Sequence, residues 1–307
     1  MPEGAASSTR GAWFPRWFWP AFAAPATIWL ILLFLVPFYV ILSIAFGGLD
    51  QIFLTPLPEY NPLRWNVGPF GNLVGQVFEE GSIYQSAFVH TLLFVGAATV
   101  LCLLIGYPFA YFLARHAGRY KPLFLVAFIM PFWVSYMMRM LAWINLLQPN
   151  GYVNRVLSAV GIAPDPVQWL NGNPWTVILG LTYGYVPYMI LPLYATLDRI
   201  PQSTLEAARD LGAGQAHTFL RVTLPMSRQA ILAGVVIVTL PMFGDYFTTA
   251  LLASTRNTAM IGSLIVSSIG SSLVREGASL VLILLVLLIA PMLYYLRSTS
   301  RASKELG

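Results

Sequence analysis

The chain has 307 residues, 57% of them hydrophobic and 9% charged, with a mean hydropathy of +0.70 and a net charge of +5. Soluble domains carry about 25% charged residues, so this composition excludes a soluble globular protein and defines a membrane protein. The single cysteine, Cys102, leaves no intrachain disulfide and no cysteine metal cluster, and His90, His116 and His217 are scattered.

A hydrocarbon core of about 30 Å is crossed by roughly 20 apolar residues in helical form, and six runs of that length occur. In chain order they are 21–46, 86–114, 122–147, 175–197, 230–252 and 278–296. Four are free of Lys, Arg, Asp and Glu, whereas the third contains Arg139 and the fifth Asp245. The opening MPEGAASSTRGAWFPRWFWP places Arg10 and Arg16 before the first run, as a secretory signal does. At 26 residues that run exceeds the roughly 7–15 of a signal core, so it reads as an uncleaved first span. Trp13, Phe14, Trp17, Phe18 and Trp19 then form an interfacial aromatic cluster. Uninterrupted apolar runs exclude the alternating strands of a barrel, and the fold class is an all-α membrane bundle of six helices.

Orientation follows from the basic residues. Counted over alternate segments, twelve Lys and Arg fall on one side, among them Arg115, Arg119, Lys121, Arg199, Arg209, Arg221 and Arg228. Four, Arg64, Arg155, Arg256 and Arg275, fall on the other, which predicts cytoplasmic N and C termini. The net charge thus reflects topology, with membrane lipid rather than nucleic acid as the partner. The outside loops are 47–85, 148–173 and 253–277, and the inside loops are 115–121 and 198–229. The first outside loop, rich in Pro, Gly and Asn, is expected to be mostly irregular. In the second, GYVNRVLSAVG predicts a short surface helix with Val153, Val156, Leu157 and Val160 on one face. Pro108, Pro131, Pro187, Pro192, Pro241 and Pro291 read as packing kinks, and Gly184 and Gly244 as points of close helix contact. No internal repeat is evident, and six spans alone enclose little pathway, so a partner subunit is expected.

The inside segment EAARDLGAGQAHTFLRVTLP, residues 206–225, interrupts this apolar chain. Ser203 and Glu206 have the spacing of a capping box, which predicts a helix start. Gly212 supplies a left-handed residue to end that helix, a second helical stretch is predicted over 215–223, and Pro225 disfavours helix at Leu224. The two short helices would present Leu205, Ala207, Ala208, Phe219 and Leu220. Such an element either lies flat on lipid headgroups or docks in a groove of a cytoplasmic partner, and the residues alone leave both open.

The stretch resembles the EAA loop of binding-protein-dependent ABC importer permeases. Glu206-Ala207-Ala208, three residues, Gly212, nine residues, Val222, one residue and Leu224-Pro225 match the motif, with Val222 where the family usually has Ile. YPFAYFLARH (107–116), PFWVSYMMRMLAW (131–143) and GYVNRVL (151–157) are similar to the spermidine and putrescine branch. The resemblance implies a type I importer (MetI-like) permease fold in a bacterial inner membrane, in which this loop couples to an ATP-binding subunit through Glu206, Ala207, Ala208 and Gly212, with Leu205 beside them. It further implies a second, different permease, two ATP-binding subunits and an extracytoplasmic solute-binding protein. The implied domains are an interfacial segment 1–20, the six-span body 21–297 with the coupling loop at about 198–228, and a tail 298–307.

A phosphate-binding loop needs Gly-Lys-Ser/Thr, and neither Lys121 nor Lys304 follows a glycine. No catalytic or metal constellation is visible, so no cofactor is expected on this chain, ATP and magnesium belonging to the partners, and the chain reads as a conduit rather than an enzyme. An ionisable group within a span is a functional candidate. Counting about 1.5 Å per residue, Arg139 and Asp245 reach similar depths toward the outer side. Arg139 either snorkels, pairs or lines the pathway, and Asp245 either pairs or faces an outer vestibule, where Phe243 and Tyr246 offer rings to a cationic solute.

Overall fold

The computed structural model describes residues 17–50, 52, 55–253 and 255–305. The predicted contributions of Arg10, Trp13, Phe14 and Arg16 lie outside the described residues. The chain divides into two compact units, 1–66 and 67–307.

In the first unit, α1 (Phe18–Leu30) runs through a π turn over Ile31–Leu35 into α2 (Val36–Ala45), together one apolar helix of 28 residues. Pro37 lacks an N–H and its ring crowds the carbonyl four residues back; the wider turn just before it absorbs both. A two-residue-per-strand hairpin, β1 (Gly48–Leu49) on β2 (Pro56–Leu57), follows.

The second unit opens with α3 (Gly68–Phe78), where an irregular loop was expected. Its glycines hide an i, i+4 pair, Leu73 and Val77, and burial of that pair outweighs their poor helix propensity. Ser82 caps α4 (Ile83–Arg115), whose 33 residues extend about 50 Å, well beyond the bilayer core. Then come α5 (Lys121–Ile129), α6 (Tyr136–Leu147), the predicted surface helix α7 (Tyr152–Ala159) and α8 (Pro174–Leu197). Beyond the inside loop lie α9 (Gln202–Asp210), α10 (Gln215–Thr218), α11 (Leu224–Met226) and α12 (Arg228–Phe243). Next come α13 (Phe247–Leu252) and α14 (Ile261–Gly270), a helix inside the third predicted outside loop, before α15 (Val274–Glu305) carries helix into the predicted tail.

Among the described residues, four helices are long and apolar enough to cross a membrane, and two bent pairs raise the number to six if each pair is one span. The third span turns by 88° where Met130–Trp133 tightens and Val134-Ser135 extends. The predicted fifth span ends early: Gly244 and Asp245 break the helix between α12 and α13. Both charge-bearing spans are therefore interrupted next to their charge.

The core lies between α4, α8 and α12. Met189 fills the crossing because two glycines clear it. A Cβ at Gly234 would stand 2.6 Å from its sulfur, and one at Gly106 3.2 Å from its Cγ. Between α6 and α8, buried Asn154 knots the 148–169 loop: its amide donates to the carbonyls of Gln148, Pro149 and Val167, and its oxygen accepts from Val167 N–H and Trp169 Nε1.

Candidate functional sites

The inside element forms as two short helices, with two corrections. The Ser203–Glu206 capping box is not made: α9 begins at Gln202, directly after Pro201, whose fixed φ suits a helix entry. Helix also continues through Pro225, because a π turn over Phe219–Thr223 widens the chain where the proline ring would strike Arg221. Gly212 has φ +85° and ends α9 with paired bonds, Gly212 N–H to Arg209 O at 2.8 Å and Ala213 N–H to Ala208 O at 3.1 Å. No atom lies within 4 Å of a Cβ added at Gly212, so Gly212→Ala costs conformation alone. It is expected to destabilise this helix end by about 1 kcal/mol and to speed amide exchange at residues 211–213; unchanged exchange would count against the motif.

Leu205 is buried and packs in the core, and Phe219 is half-buried against it, wedged edge-on between Tyr107 at 5.6 Å and Tyr111 at 5.7 Å of α4. Arg115 donates to Ile200 O at 3.0 Å, and Tyr107 bonds Ser227 at 2.8 Å. Glu206, Ala207 and Gly212 are exposed and Ala208 is half-buried. Leu211, 89% exposed, and Leu220, 58% exposed, add an outward apolar surface. A polar groove of about 290 Å³ runs beside it, lined by Arg115, Gln202, Glu206, Arg209 and Gln215. The element is thus fastened to α4 by one face and open on the other. Leu211 was not singled out in the sequence because a leucine beside a glycine reads as core.

The second site is at the two breaks. Asp245 is 6% exposed, and its Oδ1 caps the first turn of α13 by accepting from Thr248 N–H at 3.0 Å. Its Oδ2 accepts from Thr248 Oγ1 at 2.8 Å, Tyr136 OH at 2.9 Å and Tyr185 OH at 3.2 Å. A buried carboxylate must be satisfied, and these three hydroxyls and one amide do it without a cation. Gly184 makes the arrangement possible: a Cβ there would meet Tyr136 Cε2 at 2.6 Å. Gly262, rather than Gly244, provides the close approach at the break itself, since its Cβ would meet Gly244 O at 2.8 Å. Tyr136, Tyr185 and Thr248 carry no charge, so charge-based reading of the sequence passed over them.

Arg139 and Asp245 do not meet as an ion pair; Tyr136 stands between them. The Arg139 guanidinium lies 4.4 Å from the Phe132 ring centre, 5.4 Å from Tyr136 and 5.7 Å from Tyr183. Phe243 is buried in the core at 9% exposure and opens no ring face in this conformation. Tyr246 lines a cleft of about 650 Å³ with Ile83, Thr249, Arg256 and Ser263, its ring stacked on Phe247 at 4.1 Å.

Several apolar helices long enough to cross a membrane, with two of the predicted spans broken near a charge, define a multi-pass helical membrane protein. Residues 106–300 match the family model described as the binding-protein-dependent transport system inner membrane component, and the chain belongs to that family. It is 36% identical over 183 residues to the spermidine/putrescine transport system permease protein PotB of Escherichia coli (strain K12), covering 60% of this chain and 66% of that protein. The chain thus spans slightly less than two thirds of that relative. With PotB of Haemophilus influenzae the identity is 34% over 241 residues, 78% of this chain and 79% of the relative. In fold it resembles a chain from the crystal structure of a bacterial alginate ABC transporter in complex with an alginate pentasaccharide-bound periplasmic protein. There the TM-score is 0.74 and the identity 18%, over 94% of this chain and 96% of the other.

Proposed function

We propose that the chain is a transmembrane permease subunit of an ABC importer that moves spermidine or putrescine across the cytoplasmic membrane by alternating access. The observation that carries the cargo is the identity to PotB proteins, 34% across four fifths of the Haemophilus relative. Its proposed companions are a second permease, two ATP-binding subunits that hold ATP and magnesium, and an extracytoplasmic solute-binding protein on the outer loops. The twelve-to-four bias of basic residues supports cytoplasmic termini.

In this reading the open face of the inside element, with Glu206, Ala207, Ala208 and Gly212, seats in a cleft of an ATP-binding subunit, and Leu205 and Phe219 pass its motion to α4. Asp245 is the anionic group of the pathway, with Tyr246, Phe243 and Arg139 along it. The carboxylate opens to cargo when Tyr136 moves away.

The test reconstitutes the complex in liposomes with its binding protein. ATP-driven uptake of spermidine or putrescine is expected, and an Ala207→Cys variant should crosslink to the ATP-binding subunit. Uptake of some other solute instead would overturn the cargo, and crosslinks to lipid alone would overturn the coupling role.

A further inference from the structure

The setting of Arg139 is unusual for a guanidinium. Three aromatic rings surround it, all within about 6 Å, the range in which a cation is drawn to a ring face. The rings buttress one another: Phe132 lies 5.9 Å from Tyr183, and Tyr183 meets Trp143 edge-on at 5.4 Å. Yet Nε and Nη1 of Arg139 are buried and find no acceptor. A structural arginine normally satisfies its fork of donors, and leaving the N–H groups of two nitrogens dry is unfavourable. The cage therefore suits the charge of its occupant and not its hydrogen bonds. The anionic Asp245 lies one tyrosine away, since the same Tyr136 that faces the guanidinium donates to the carboxylate at 2.9 Å.

We propose that Phe132, Tyr136 and Tyr183 form a binding site for an organic ammonium group, which Arg139 occupies in this conformation as a tethered surrogate. An incoming ammonium displaces the guanidinium, whose long stem lets it swing toward acceptors outside the cage. A dication would then set one ammonium among the rings and the other toward Asp245. The surrogate keeps the cage filled while no cargo is present, so small cations gain no foothold there. The polyamine part of this inference rests on the proposed cargo; the ammonium site itself does not.

The experiment measures binding to the purified membrane complex without its binding protein, using radiolabelled putrescine and, separately, tetramethylammonium. Arg139→Met keeps the length and removes charge and donors. If the guanidinium fills the cage nine times in ten, its removal should tighten both probes about tenfold, by the share of competent sites released. Arg139→Lys should stay near the wild type, and adding Phe132→Leu to Arg139→Met should erase the gain. Binding unchanged or weakened in Arg139→Met would overturn the proposal. Failure of that variant to assemble would overturn it equally, because the guanidinium would then be a fixed strut. Tightening for tetramethylammonium but not putrescine, together with no polyamine uptake by the wild type, would keep the cage and discard the cargo.

Discussion

Asp245→Ala is expected to destabilise the permease by about 3 kcal/mol and to abolish uptake, whereas Asp245→Asn should assemble normally and still transport poorly. The carboxylate holds four donors: Thr248 N–H on Oδ1, and Thr248 Oγ1, Tyr136 OH and Tyr185 OH on Oδ2. Alanine leaves the amide dry and the hydroxyls to find one another; Tyr136 and Thr248, 2.5 Å apart, can do so, Tyr185 less easily. Charge-assisted bonds of this kind contribute about 1.5–3 kcal/mol each, less what the hydroxyls recover. Asparagine keeps the shape: its oxygen accepts from Thr248 N–H, and its amide donates to hydroxyl oxygens that rotate to receive it. What disappears is the charge, and a cationic cargo should then move roughly tenfold slower or worse, about the effect of one lost charge-assisted contact. Thermal melting and uptake of the two variants, measured side by side, separate the roles. Equal uptake in Asp245→Asn and wild type would remove the charge from the pathway.

The second large effect is expected at a residue with no functional group. Gly184→Val puts methyl groups where the Tyr136 ring lies, the first added carbon already 2.6 Å from Cε2. The ring must leave, and its bonds to Asp245 and Thr248 go with it, so one substitution both overpacks the helix contact and frees the carboxylate. Overpacking costs about 1–3 kcal/mol and a lost bond to a buried charge a similar amount. Uptake should fall about as far as in Asp245→Asn. Tyr136→Ala opens the space, so the double variant should be less impaired than the sum of the two single ones, a coupling that direct neighbours show. Additive losses would mean that Gly184 acts on something other than Tyr136.

Much of this molecule could be read from its residues, because length and polarity alone decide which segments enter lipid. The apolar runs, the surface helix at 152–159 and the left-handed Gly212 rest on local rules; the structure contains the last two, and of the six runs four form single long apolar helices. The helices α3 and α14 were missed, since glycine and serine conceal their apolar faces. The breaks at 134–135 and 244–245 were missed because a window of about 20 residues averages over them. Asp245 and Arg139 were visible as charges out of place. What the sequence could not convey was that Tyr136 joins them, because that depends on a glycine 48 positions further on giving up its side chain.

Both ends of α4 are fastened. Toward its N-terminal end Thr91 Oγ1 accepts from Ile261 N–H at 2.9 Å, at the start of α14, and toward its C-terminal end Tyr107 and Tyr111 grip Phe219. The stretch from Thr91 to Tyr111 extends about 30 Å, so a tilt of about 10° displaces one end by about 5 Å relative to the other. The helix is continuous between these two attachments. In the proposed coupling, one unbroken helix is the shortest route from the contact at Phe219 to the entrance of α14.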